Sequence, residues 1–169
     1  MYLNHLIGRL NDALEAIRSI NFKGLDLSLY GVSDERFKIG YDSEALLNSV
    51  VENPSGFTKS IFRVFPCNKG YAVGVNGLTL TFDGNEADFY AWLDVVHWLF
   101  THSDIGQYIH IGGWRAPDEK YEIDVVVVFR DEQEAIKFAK EQDQIAVYNL
   151  ETDEEIETGG TGGKHLFKE

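Results

Sequence analysis

The sequence predicts an α+β fold, with a mainly antiparallel sheet and three to four helices in a compact single domain or two fused subdomains. The chain has 169 residues, 44% of them hydrophobic, which is enough to build a sizeable core. Apolar residues recur at helical spacing in some segments and alternate with polar residues in others. The predicted strands follow one another through short turns more often than through helices, which favours hairpins and antiparallel pairing.

Four segments carry apolar residues three and four positions apart, the spacing that places them on one face of a helix. A serine or aspartate that can cap the first turn precedes the apolar face in three of them. Two of these aspartates have a glutamate three residues later, which is typical of a capping box. The predicted helices cover residues 3–17, residues 43–51, a segment opened by Asp83 and Glu86, and a segment opened by Asp131 and Glu134.

Strands are predicted where apolar and polar residues alternate. Asn76-Gly77 separates two of them and favours a two-residue hairpin, because both residues tolerate a positive φ. The connection Gly112–Asp118 is expected to link a second hairpin, and the unbroken apolar run 125–128 indicates a strand buried on both faces. The predicted strands cover residues 25–29, 36–41, 60–65, 71–75, 78–82, 107–111, 121–129 and 145–150, with a short edge hairpin over residues 151–158.

The chain divides into three predicted parts. Residues 1–105 form an N-terminal α+β part that contains the Asn76-Gly77 hairpin and an aromatic helix. Residues 106–158 form an acidic ββαβ part, and a break near residues 103–106 separates the two. Residues 159–169 are predicted to be a flexible tail, because glycine dominates their first half.

Acidic residues outnumber basic ones, 28 against 15, which gives a formal net charge of −13. This balance disfavours direct binding of nucleic acid, whose phosphates need cations. Most of the excess lies in residues 117–157, where 14 acidic residues face four basic ones, a net charge of −10. Such a cluster is either a solvated face that keeps the protein soluble or a surface complementary to a basic partner.

The densest acidic run and one tryptophan are the candidate partner-binding residues. Trp114 follows two glycines in a predicted loop, where its indole either folds back over the sheet or is offered to a partner. The candidate partner-binding residues are Glu151, Asp153, Glu154, Glu155, Glu157 and Trp114.

Catalytic and metal-binding motifs are weak or missing in the sequence. The chain has no GxSxG, GxGxxG or CxxC motif, so we predict no catalytic residue and no cofactor. Asp94, His97 and His102 are weak candidates for a metal site, because they lack the HExxH spacing. The alternative is that these histidines are favoured simply by the negative end of a helix dipole.

The last third carries five segments that read as one unit: Ile111–Trp114, Tyr121–Val125, Phe129–Ala135, Gln144–Leu150 and Glu154–Gly160. Over about residues 107–163 the chain resembles a small domain that recurs in bacteriophage and mobile-element proteins, generally of unassigned activity. The resemblance rests on packing and turn motifs. It implies a phage or mobile-element origin and assigns a function to no residue.

The leading hypothesis is a non-enzymatic, phage-type accessory protein that binds a protein partner with a basic surface and inhibits a host defence or nucleic-acid-binding protein. The alternatives are a small metal-dependent hydrolase, and a virion or oligomeric assembly protein that uses Trp98 or Trp114 as an anchor. The sequence has no apolar run long enough to span a membrane, and its polar start is unlike a signal peptide. The single cysteine, Cys67, suits a reducing compartment, so we expect a cytoplasmic protein.

Overall fold

A computed structural model describes residues 2–20, 43–53, 55–60, 68–101 and 109–168. Over these ranges the chain forms helices on an antiparallel sheet, which confirms the predicted α+β class. The helices are α1 (Tyr2–Arg18), α2 (Ser43–Glu52), α3 (Glu86–Thr101) and α4 (Glu132–Glu141). The strands are β1 (Gly56–Ser60), β2 (Tyr71–Gly74), β3 (Leu80–Phe82), β4 (His110–Arg115), β5 (Tyr121–Phe129), β6 (Ala146–Asn149) and β7 (Glu154–Glu157).

The described strands make one curled sheet in the order β1-β4-β5-β2-β6-β7, with β3 also paired to β5. Strand β5 is central, and all nine of its residues are buried, as its apolar sequence predicts. One edge of β5 pairs with β4, and the other edge pairs with β2 and then β3. Strands from both sides of residues 102–108 therefore share this sheet.

Residues on one face of the sheet form the main core with all four described helices. Trp92 and Phe89 of α3 are fully buried there, and the Trp92 indole N–H donates a hydrogen bond to the Leu78 carbonyl at 2.7 Å. Trp98 lies on the other side of the same helix and is 46% exposed. The remaining large buried side chains of this core include Ile17, Leu46, Leu93, Leu99, Val127 and Phe129.

The opposite face of the sheet carries no helix in the part of the chain that the structure describes, and we call it the helix-free face. Because side chains alternate along a strand, Glu122, Asp124, Val126 and Val128 of β5 share this face, while Ile123 and Val125 point to the core. Among the described residues, a small apolar cluster lies on the helix-free face, comprising Ala72, Val126, Val128, Tyr148 and Leu150.

The predicted N-cap is confirmed for α4, whereas the N-cap of α3 lies two residues after the predicted one. The Asp131 carboxylate accepts a hydrogen bond from the backbone N–H of Glu134 at 3.0 Å, as predicted. At the start of α3, Asn85 is the cap instead of Asp83, and its side-chain oxygen accepts from the N–H of Ala87 at 3.0 Å. Asp83 instead accepts from the N–H of Asn85, so it stabilises the turn before the helix.

The predicted Asn76-Gly77 hairpin is wrong, because β2 and β3 pair with β5 and not with each other. The two residues interrupt a strand that continues in the same direction. Gly77 does adopt a positive φ of 91°, and its N–H donates to the Lys164 carbonyl at 3.1 Å. The Asn76 side chain accepts from the N–H of Lys164 at 2.7 Å. The Asn76 side chain and the Gly77 backbone therefore bind the distant segment of chain that contains Lys164.

The predicted connection over residues 112–118 is also wrong in its first half, since β4 continues to Arg115 before the chain turns. Gly112 and Gly113 are strand residues whose missing side chains make room for neighbours. A Cβ on Gly112 would lie 2.7 Å from a Val126 methyl, and one on Gly113 would lie 2.6 Å from the Phe57 ring. Glycine is needed there for close approach within the sheet.

The predicted flexible tail is wrong for residues 159–168, which we call the C-terminal strap. The strap crosses the sheet beside β3, where the Leu166 N–H donates to the Thr79 carbonyl at 2.9 Å and the Leu166 side chain is fully buried. Near its start, the Thr161 N–H donates to the Asp143 carboxylate at 3.0 Å. The strap is thus tied to the fold at both ends.

Several predictions fall on residues outside the described ranges. These are the strands over 25–29 and 36–41, the break near residues 103–106, Cys67 and most of the strand over 60–65. The strand observed in that last region, β1, starts earlier, at Gly56. None of the described helices combines the length and the apolar character needed to cross a membrane.

Gly113→Ala should destabilise the fold, because the added methyl group would overlap the Phe57 and Tyr121 rings. We expect a loss of about 1–3 kcal/mol in the free energy of unfolding, measured by urea denaturation. Gly8→Ala is the matched control: Gly8 is exposed in α1 with no neighbour within 4 Å, and alanine there should add about 0.5–1 kcal/mol. Equal effects of the two substitutions would contradict the close approach at Gly113.

Leu166→Ala should cost about 2–5 kcal/mol of unfolding free energy, because it leaves a cavity in the core. The exposed neighbour Lys168→Ala should change stability little, and thermal denaturation of both variants measures the difference. A tail that moves freely would make the two substitutions equivalent.

Candidate functional site

A cavity of about 670 Å³ lies on the helix-free face. Its volume falls within the range of ligand sites in proteins, about 300–1,000 Å³. Strands β1, β4, β5, β2 and β6 contribute lining residues, and the C-terminal strap adds Gly163 and His165. The helices support this wall of strands from behind, so the cavity is built on the most rigid element of the fold.

The lining of this cavity is strongly acidic, and we call it the acidic cavity. No lysine or arginine occurs among the described residues that line it, and His165 is the one lining side chain that could become cationic. Lys120 lies near the rim, where its ammonium is 3.7 Å from the carboxylate of Asp118. The lining carboxyl groups are those of Asp118, Glu122, Asp124, Asp153 and Glu155.

Asp124 forms the most buried acidic group of the cavity, with only 7% of the residue exposed. Its carboxylate accepts a 2.5 Å hydrogen bond from the Thr79 hydroxyl. Burial raises the pKa of the Asp124 carboxyl to about 7, and the nearby Glu122 charge adds to this increase, whereas hydrogen bonds with Thr79 and Trp114 lower it. Asp124 can therefore gain or lose its charge near neutral pH.

Glu122 lies two residues before Asp124 on the same face of β5 and is 9% exposed. The Thr81 hydroxyl donates to Glu122 Oε2 at 3.0 Å, and the same oxygen is 3.8 Å from Nδ1 of His165. Thr81 Oγ1 and His165 Nδ1 are 3.2 Å apart. The strap thus places an imidazole beside a carboxylate that the sequence separates by more than forty residues.

Trp114 was predicted to lie in a loop, and this prediction is wrong. The residue lies in β4, where it pairs with Glu122 of β5. It is half-buried, and it lines the acidic cavity next to the two buried carboxyl groups. The prediction offered two positions for this indole, as a lid on the sheet or as a partner contact. Its place in the cavity wall combines contact with the sheet and access from the cavity.

The predicted acidic residues all lie in the β6–β7 hairpin and are exposed. Glu155 pairs with Tyr148 and points to the helix-free face, and both Asp153 and Glu155 line the cavity. Glu154 lies on the opposite side of the strand, because side chains alternate. Neither salt bridge found within the described ranges involves this hairpin. Of the predicted partner-binding acids, Asp153 and Glu155 therefore continue one edge of the acidic cavity, whereas Glu154 points away from it.

Of the three candidate metal residues, the structure describes two. Asp94 and His97 are both exposed on α3, and His102 lies outside the described residues. Where the chain is described, no group of three histidine, cysteine or acidic side chains has a geometry that could hold a metal ion.

Sequence reasoning missed the floor of the cavity, which is formed by the lining residues Glu122, Asp124, Thr79 and His165, with Thr81 hydrogen-bonded to Glu122. A signal for two of these residues was present, since Glu122 and Asp124 are charged residues at alternate positions of an otherwise apolar strand. The contribution of His165 had no such signal, because the glycines before it suggested a flexible tail.

Comparison of the chain with protein-family models, with curated proteins and with solved structures found no match in any of the three. Function therefore has to be inferred from the geometry of the site. Chemically, the acidic cavity can bind a cation, and Asp124 can exchange a proton near neutral pH.

Asp124→Asn should remove a pH-dependent cost of folding. Because the folded pKa of about 7 exceeds the ordinary aspartate value of about 4, the unfolded chain ionises first, and the wild type loses stability as pH rises through this window. Asparagine keeps an acceptor for Thr79 without a charge. We expect the variant to gain up to roughly 4 kcal/mol relative to wild type at pH 8 and little at pH 4.

Urea denaturation at several pH values measures this difference. Asp118→Asn, at the exposed rim, is the control and should leave the pH dependence unchanged. If the free energy of unfolding changed with pH in the same way for wild type and Asp124→Asn, this result would contradict the raised pKa of Asp124.

Proposed function

We propose that the chain is a non-enzymatic binding protein that recognises a basic surface of a protein partner through the acidic cavity and the side of the β6–β7 hairpin that lines it. The observation that carries this proposal is the lining of the cavity, whose described residues include five with carboxyl groups and no lysine or arginine. Proton transfer needs only one or two carboxyl groups. A surplus that extends onto the rim favours the binding of several cationic groups.

The resemblance of residues 107–163 to phage and mobile-element domains implies an origin in which a host protein is the expected partner. We propose a host defence or nucleic-acid-binding protein, met in the cytoplasm, because proteins that hold nucleic acid carry clustered lysine and arginine. An acidic protein that covers such a surface prevents it from binding phosphates. Complementary charge also speeds the encounter of the two proteins and makes their association weaken with salt.

The matched pair Glu155→Lys and Glu154→Lys tests this proposal. The two residues are adjacent in β7 and exposed, but only Glu155 lines the cavity. A short labelled peptide of alternating arginine and glycine serves as the basic probe, and fluorescence anisotropy measures its affinity. We expect Glu155→Lys to weaken binding roughly threefold to tenfold, and Glu154→Lys to have a clearly smaller effect.

Salt provides the second measurement with the same probe. Affinity should fall when salt is raised from about 0.05 M to about 0.5 M, because screening shortens the range of charge attraction. Equal effects of the two charge reversals, or an affinity that salt leaves unchanged, would contradict recognition through the cavity.

A further inference from the structure

We propose that the floor of the acidic cavity binds the guanidinium group of a single arginine side chain. This inference rests on the proposed function, since the basic partner supplies the arginine. It assigns a subsite to Glu122, Asp124 and Trp114, three neighbouring residues that line the cavity.

The spacing of the two carboxyl groups suits a planar cation with several donors. Glu122 and Asp124 are two residues apart on one strand, which places their Cα atoms about 6–7 Å apart on the same face. Arginine carries five N–H donors arranged along two edges of a plane, so one guanidinium can donate to both carboxylates.

Both carboxylates keep acceptor capacity for such a ligand. Thr79 and Trp114 each donate one hydrogen bond to Asp124, and Thr81 donates one to Glu122. An ionised carboxylate can accept about four hydrogen bonds. The threonines therefore hold the two acids in position and leave room for further donors.

An aromatic wall stands beside these acids. Trp114 is the cross-strand neighbour of Glu122 and lines the cavity. An arginine that enters next to it can place its plane against the indole, which adds a cation–π contact to the hydrogen bonds. Arginine suits this site better than lysine because the guanidinium is planar and weakly hydrated, whereas an ammonium is a compact, strongly hydrated charge.

Burial makes the floor of the cavity an unfavourable place for negative charge without a cation. Glu122 and Asp124 are each more than nine-tenths buried, and no described lysine or arginine lines the cavity. Buried charges in proteins are normally paired. A bound guanidinium supplies this charge, and the cavity of about 670 Å³ also has room for the adjoining peptide of the partner.

The test uses N-acetyl-arginine amide as the ligand, because its only charge is the guanidinium. The neutral control is N-acetyl-citrulline amide, which has nearly the same shape. Isothermal titration calorimetry measures the affinity of the full chain for each compound, and the indole N–H signal of Trp114 in an NMR spectrum reports the site. We expect the citrulline compound to bind about tenfold to a hundredfold more weakly.

Variants of the floor separate this subsite from general charge attraction. Glu122→Gln keeps an acceptor for Thr81 but loses the charge, and it should weaken arginine binding at least about tenfold. The control Glu15→Gln removes an equal charge from the exposed side of α1, across the sheet from the cavity, and should leave the affinity unchanged. Asp124→Asn gives the same test if Glu122→Gln fails to fold.

Equal binding of the arginine and citrulline compounds, or a folded floor variant with wild-type affinity, overturns the inference. The proposed function would survive that result if the basic peptide still distinguished Glu155→Lys from Glu154→Lys. Loss of that distinction overturns the proposed function even where the floor binds the isolated arginine compound.

Discussion

The buried carboxyl of Asp124 in the central strand is the constraint on which the arrangement around the cavity depends. An acid with 7% exposure, in a cavity whose described lining has no lysine or arginine, is costly to ionise, and it needs hydrogen-bond donors from several directions. Thr79 supplies one of them from the interrupted segment between β2 and β3. The C-terminal strap is bound to that same segment, so the interruption, the strap and the acid form one connected unit.

Because side chains alternate along β5, one set of its residues packs in the main core and the other set lines the cavity. Ile123 and Val125 join the core with the helices, while Glu122 and Asp124 reach the cavity. The main core lies on the other side of the sheet from the acids, and a small apolar cluster lies beside them. The two acids are thus held on a well-packed strand, and the segments that carry Thr79 and His165 complete their surroundings.

Features set by neighbouring residues could be predicted from the sequence, and features set by distant contacts could not. The helices α1, α2 and α4, the Asp131 cap and strand β6 follow from local spacing, whereas the short hairpin predicted within residues 151–158 is instead one strand, β7, paired with β6. The Asn76-Gly77 pair gave the correct turn chemistry but the wrong pairing, because the partner is Lys164. Trp114 and the acidic hairpin were both candidates, yet only the strand order brings them to one cavity, and His165 reaches its floor through a strap whose glycines resemble a linker.

The carboxyl titration of Asp124, followed by ¹³C NMR with and without N-acetyl-arginine amide, tests the central claim most directly. A buried acid in a cation-binding cavity should titrate with a pKa of about 7 in the free protein. Its pKa should then fall when the guanidinium binds, because a nearby positive charge favours the ionised form. An ordinary aspartate value of about 4 in the free protein, or a raised value that the arginine compound leaves unchanged, would contradict the account.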